Sequence, residues 1–196
     1  MLSEDIPVID AEPRVRSRLT AEEFMALCES GVFGDLAHVE LVDGEIVEMP
    51  PEGGSHSVNN LQTASVLLPL ARAAGLEIGS NIAINLGGRR VVGPDTAVFE
   101  PLAGWPTLTP ASRLRLAVEH SWSSRRYDLT QKAELYAAAG VPEYWVLDNV
   151  QPSLHRFHTP VDGRYTREPP LGPDERVAVP FAPGETVRVG ELFRAG

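Results

Sequence analysis

Two carboxylates in this chain sit where shared chemistry could happen. Asp95 follows Gly93-Pro94 and leads into the apolar run Thr96-Ala97-Val98-Phe99. Glu119 closes the run Arg113-Leu114-Arg115-Leu116-Ala117-Val118, just before the polar loop Ser121-Trp122-Ser123-Ser124. If both runs are strands and neighbours, the two side chains converge at one end of a sheet. Convergent carboxylate oxygens suit a hard divalent cation such as Mg²⁺ or Mn²⁺. The third candidate comes from counting: the chain has sixteen arginines and a single lysine, Lys132. Lysine offers a compact, hydrated, titratable ammonium where arginine offers a planar and permanently charged fork. Beside a metal, an ammonium could orient an attacking water or stabilise charge on a phosphate. Blander readings stand next to these: strand-end acids are commonly solvated caps, and surface lysines are commonplace.

The elements that must position these groups run from Val118 to Asp148. Alternation in the first strand puts Leu114, Leu116 and Val118 on one face and Arg113, Arg115, Ala117 and Glu119 on the other. Asp128 has the composition of a helix N-cap, with Gln131 as its capping-box partner. Lys132 is then expected on the first helical turn. The positive end of the macrodipole disfavours a cation there, unless it leans towards Asp95 and Glu119. On that reading, Lys132→Ala is an uncomplicated surface change for folding. Gly140 ends the helix as a C′ residue, Val141-Pro142 prevents its resumption, and Tyr144–Leu147 reads as a buried strand.

The rest of the chain is rich in short strands. Residues 1–18 are polar and unpatterned and are expected to form a mobile arm, leaving 19–196 as a single domain. Thr20-Ala21-Glu22-Glu23 is a capping box opening a helix through about Glu29. His38–Val42 and Glu45–Met49 flank Asp43-Gly44, a strong hairpin signal. Ser55–Ala74 reads as a long helix interrupted or kinked at Pro69. One or two strands follow in Leu76–Leu86, then Arg89–Val92, and later a hairpin about Asp162-Gly163. The expectation is an α/β or α+β domain with a mixed, hairpin-rich sheet and two or three helices.

Composition narrows the functions. Hydrophobic content of 43% and charged content of 22% fit a globular protein, and no apolar run has the length of a membrane span. The acidic start MLSEDIPVID does not resemble a secretory signal, and the lone Cys28 fits a reducing cytoplasm. The net charge of −10 is uneven: Thr20–Ala71 holds nine acids and no Lys or Arg, while Arg113–Arg126 carries four arginines against Glu119. A strong free-standing grip on nucleic acid is therefore not expected; the pattern leaves room for a local basic rim around an acidic pocket, or for acidity that simply aids solubility. Phosphate-binding glycine loops, Ser-His-Asp arrangements and zinc-type Cys/His spacings are absent from the sequence.

Several segments together resemble a known family. In order they are Glu40-Leu41-Val42-Asp43-Gly44-Glu45-Ile46, Gly54-Ser55-His56, Pro94-Asp95, Val118-Glu119 and Arg126-Tyr127-Asp128. Lys132 with Leu135-Tyr136 follows, and then Ala139-Gly140-Val141-Pro142-Glu143-Tyr144-Trp145-Val146-Leu147-Asp148. From about Leu19 onward the chain resembles the Uma family of inferred restriction endonucleases, a branch of the PD-(D/E)XK nuclease superfamily. The resemblance implies a restriction-endonuclease-like mixed sheet flanked by helices. It also implies Mg²⁺- or Mn²⁺-dependent hydrolysis of DNA, with Asp95 and Glu119 as metal ligands and Lys132 as the catalytic lysine. Ser121 stands where the usual motif lysine would be, two residues after the Glu. Glu40 and His56 are implied as accessory residues, and Ser121 is a further accessory candidate. Tyr127 and Tyr136 could line the site, although helix packing explains Tyr136 equally well. A homodimer suits a cutter of two strands. Where relatives carry an aliphatic residue and a small or acidic one, this chain has His120 and Trp122, as packing variants or as groups that reshape the pocket. The rival functions are a non-catalytic nuclease-fold module that binds nucleic acid or protein, and a hydrolase of another phosphoester.

Overall fold

The computed structural model describes residues 18–34, 38–49, 53–104 and 106–194. The arm expected over 1–18 therefore lies, but for Arg18, outside the described residues. Helix α1 (Ala21–Glu29) opens with the expected capping box, Thr20 Oγ1 accepting from the Glu23 N–H and the Glu23 carboxylate from the Thr20 N–H. Strands β1 (His38–Val42) and β2 (Glu45–Met49) pair antiparallel across Asp43 and Gly44, whose φ angles of 50° and 83° are those of a tight hairpin turn. A Cβ on Gly44 would meet the Arg18 Cβ at 2.6 Å, so both the φ and the close approach require glycine there. Helix α2 (Gly54–Ala73) runs through Pro69 as one element.

The remaining strands sort into sheets by connection. They are β3 (Glu77–Gly79), β4 (Ile84–Asn85), β5 (Val91–Val92), β6 (Thr96–Phe99), β7 (Thr109–Pro110), β8 (Leu114–Ser121), β9 (Glu143–Asp148), β10 (Ser153–Val161), β11 (Arg164–Arg167), β12 (Arg176–Ala178) and β13 (Thr186–Arg188). The main sheet has the order β11-β10-β9-β8-β6-β3, a second has β2-β1-β5-β4-β7, and β12-β13 form a ribbon. All pairs in the main sheet are antiparallel except β8 with β9, which run parallel and need a crossover. That crossover is helix α3, spanning 125–138: an α-helical turn (Arg125–Tyr127), a π-helical turn (Asp128–Lys132) and a final α segment (Ala133–Ala138).

Helix α3 covers one face of the main sheet, where Ala133, Tyr136 and Ala137 pack with Phe99, Ala117, Tyr144, Val146 and Phe157. Helix α2 covers the other, where Leu67 and Ala71 pack with Val98, Leu116, Val118, Trp145 and Leu147. Strand β9 is buried at every residue, as the middle of a sheet covered on both faces must be.

Two expectations need correction. Leu114 joins Ala117 on the α3 face and not Leu116 and Val118 on the α2 face. The pairing with β6 jumps from Val98–Leu116 to Phe99–Leu114, and this bulge at Arg115 flips the alternation. Asp128 is no N-cap; its backbone is helical (φ −65°, ψ −41°), and the helix starts one turn earlier. His155 on β10 is buried as well. Among the described residues no helix is long and apolar enough to cross a membrane.

Candidate active site

The antiparallel register of β6 on β8 pairs Thr96 with Val118. One step further along, that register sets Asp95 opposite Glu119, where β6 has ended and β8 continues. Glu119 lies on the Ala117 face, towards α3, while His120 lies on the Val118 face, towards α2. Glu40 arrives from β1 in the second sheet, His56 from the first turn of α2, and Asp128 and Lys132 from the π-helical turn. These groups line one cavity of about 180 Å³.

Each acid in this cavity has a defined partner. Asp95 Oδ2 accepts the His120 backbone N–H at 2.6 Å, and Oδ1 lies 2.9 Å from His56 Nε2. Burial alone would raise the Asp95 carboxyl, but His56, the His120 N–H and Lys132 together hold it below the usual carboxylate range. Lys132 Nζ donates to Glu119 Oε1 at 2.8 Å and lies 3.1 Å from Glu40 Oε1. The Tyr136 hydroxyl reaches Glu119 Oε1 at 3.4 Å, and the Tyr127 hydroxyl reaches Glu40 Oε2 at 3.5 Å. The Gly93 N–H donates to Glu40 Oε1.

Charge balance in the cavity is unequal, with four carboxyl groups facing one ammonium. Burial pushes the Glu119 carboxyl well up, and Asp95, Asp128 and Glu40 push it further, against the pull of Lys132. Burial opposes the charge of Lys132, yet Glu119, Glu40 and Asp128 outweigh it and hold the ammonium protonated. The cluster thus gathers four carboxyl groups about one ammonium, and burial beside like groups presses Glu119 and Asp128 towards their neutral forms. In kind, these hard oxygen donors fit Mg²⁺ or Mn²⁺. In arrangement, no three His, Cys, Asp or Glu side chains among the described residues form a ready ligand cage. Lys132 and His56 occupy carboxylate oxygens instead.

Lys132 is only 3% exposed and is not the surface residue expected from a helix starting at Asp128. It also contacts Glu40 together with Glu119, where Asp95 and Glu119 were expected. The π-helical turn accounts for its placement, because one extra residue in the turn redirects the side chains around it. Thr130 Oγ1 donates to the Arg126 carbonyl at 2.6 Å, supplying a partner where the ladder opens. Asp128, missed as a site acid because its composition suits a cap, lies four residues before Lys132. Burial raises its carboxyl, countered by Lys132 and the Ser124 and Ser121 hydroxyls. Ser121, at the motif position lacking lysine, is wholly buried, and its hydroxyl makes no well-formed hydrogen bond.

His120 is tied into the packing through both ring nitrogens. The Thr63 hydroxyl donates to the Leu192 carbonyl, so its oxygen accepts the Nε2–H of His120 at 2.9 Å. The Asn149 amide N–H₂ faces Nδ1 at 3.3 Å, so that nitrogen is an acceptor. Both ring nitrogens are engaged and the ring is neutral; burial pushes its pKa down to about 4. Trp122, the second departure, lies at the cavity wall with its ring centroid 5.0 Å from that of His56.

A mixed sheet with one parallel pair, flanked by helices, with carboxylates and a lysine gathered at one end, is the architecture of restriction-endonuclease-like nucleases. The chain belongs to the Uma2 family, described as "Putative restriction endonuclease", whose model matches residues 21–190. Its fold is similar to that of a putative nuclease belonging to DUF820 from Anabaena variabilis ATCC 29413, with a TM-score of 0.70 and 19% identity, over 89% of this chain and 97% of that one. No curated protein matches the chain.

Proposed function

We propose that this protein is a Mg²⁺- or Mn²⁺-dependent endonuclease that hydrolyses phosphodiester bonds in DNA. The observation carrying the proposal is Lys132 Nζ held 2.8 Å from Glu119 and 3.1 Å from Glu40, at the sheet end where Asp95 stands opposite Glu119. Asp95 and Glu119 would hold the metal, which when bound supplies Lewis-acid polarisation of the scissile phosphate and eases ionisation of water. Lys132 has three N–H bonds, two of them directed at Glu119 and Glu40, which leaves one for the attacking water or a phosphate oxygen. His56 and the His120 N–H fix the Asp95 carboxylate in its ionised form. Tyr136 reaches the same Glu119 oxygen as Lys132 and helps to fix it. The lone Cys28 suits a reducing cytoplasmic setting.

Incubating supercoiled plasmid, linear duplex and single-stranded DNA with the protein in Mg²⁺, Mn²⁺ or EDTA tests the proposal. Cleavage by the wild type with metal, lost in EDTA and in Asp95→Asn and Glu119→Gln, is the expected result. Cleavage undiminished in EDTA, or none with either metal, counts against it.

A second reading has its own observation. The inner oxygens of Asp95, Glu119 and Glu40 are already satisfied by protein groups, as they would be in a nuclease fold kept as a binding module. Calorimetric titration separates the two readings. Saturable Mn²⁺ binding that disappears in Asp95→Asn supports the nuclease, and no binding in either protein supports the module.

A further inference from the structure

We infer that the strand admitted to this site is single: an unpaired stretch or end of DNA held against Trp122, and not an intact duplex. The inference rests on the nuclease reading for the site and adds the form of its substrate.

Depth is the first reason. Glu40, Asp95, Glu119 and Lys132 are only 2%, 3%, 4% and 3% exposed, on the floor of a cavity of about 180 Å³. A duplex is a stiff rod over roughly 150 base pairs, so it cannot fold one phosphate inward into such a recess without paying for bending or unpairing. A single strand has no such stiffness and can thread its backbone in.

Charge is the second. A duplex grip draws on several phosphate contacts made by Lys and Arg. Here the walls supplied by β1 and α2 come from a stretch, Thr20–Ala71, with nine acids and no Lys or Arg. On the other side, Ser123 and Ser124 line the cavity and two arginines follow them in the chain. Arg125 is already held by Asp148, which leaves the exposed Arg126.

Trp122 supplies what charge does not. Its side chain is partly exposed, lines the cavity and packs on His56 with rings inclined by 35°. Stacking on an aromatic face needs no net positive surface and tolerates any base, but the base must be unpaired to reach it.

The test presents one sequence as a labelled single strand, as a blunt duplex, and as a duplex with a single-stranded flap. In Mn²⁺ the single strand and the flap should be cut at least about tenfold faster than the duplex. Trp122→Leu keeps apolar bulk against His56 without the π face, and should raise KM for the single strand about tenfold with kcat little changed. Trp122→Phe should restore it. Duplex cut as fast as single strand, or an unchanged KM in Trp122→Leu, overturns the inference. Anisotropy in Ca²⁺ with the same three DNAs reads binding without hydrolysis. Tighter single-strand binding that depends on Trp122 upholds the inference even if no DNA is ever cut, and then only the hydrolytic reading fails. Tighter duplex binding, or no binding of either form, overturns the inference and leaves the nuclease reading to its own assay.

Discussion

At the scale of residues, Lys132 joins the proposed chemistry to stability. Removing it leaves Glu40 and Glu119 buried without their cation, and breaking one side of a buried ionic cluster costs about 3–5 kcal/mol. Lys132→Ala is therefore expected to unfold at clearly lower denaturant than wild type and to lose metal-dependent cleavage by at least about 100-fold. Lys132→Arg should recover little activity, because the larger fork does not fit a space shaped for one ammonium. Equal midpoints for wild type and Lys132→Ala would contradict the buried geometry. His120 supplies a pH signature. Its folded pKa of about 4 lies below the unfolded value of 6.5. The folded state therefore disfavours protonation, and this stabilisation is full above pH 6.5 and is lost as pH falls towards 4. The loss amounts to at most about 3 kcal/mol. His120→Gln keeps a polar, non-titrating side chain, and its denaturation midpoint should vary less between pH 7 and 4.5 than that of the wild type.

Among the elements, the turn between β1 and β2 is the most exposed to a single change. Gly44→Val places a branched side chain at φ 83° and against Arg18, and should cost about 1–3 kcal/mol in a melting experiment. Since β1 also carries Glu40, metal affinity measured by calorimetry should fall along with stability. This hairpin and α1 were legible in the sequence because their signals are local: Asp-Gly between alternating runs, and a Thr with Glu three residues on. The convergence of Asp95 with Glu119 was legible for a related reason, since both stand at the ends of recognisable strands. Asp128 misled because a buried acid within a helix and a capping acid at its start have the same composition. The π-helical turn has no signature in residue type, and without it Lys132 is placed on the surface. The bulge at Arg115 is likewise set by pairing with β6, which one strand's own alternation does not record.

On the scale of the whole molecule, a net charge of −10 and few arginines at the site predict weak binding of any DNA, with a shallow salt dependence because few phosphates are neutralised. Raising NaCl across the physiological range should depress duplex binding more than single-strand binding, if stacking on Trp122 carries part of the latter. Pairing of two chains would pool their arginines, and light scattering at high protein concentration should then give twice the chain mass; a monomer alone would discard that idea. The parallel pairing of β8 with β9 has a further consequence, in time. Synthesis delivers Glu40, Asp95 and Glu119 before Lys132, and the strand that covers β8 ends only at Asp148. Until Lys132 is made, three acids would share a pocket with no ammonium between them, and until Asp148 is made β8 remains an uncovered edge, so the pocket cannot close. At about 5–20 residues per second, the nascent chain spends several seconds with the acids made and the site unformed. The pocket therefore assembles only with the strand that follows the lysine, and a nascent chain that stops short of it carries the acids without their site.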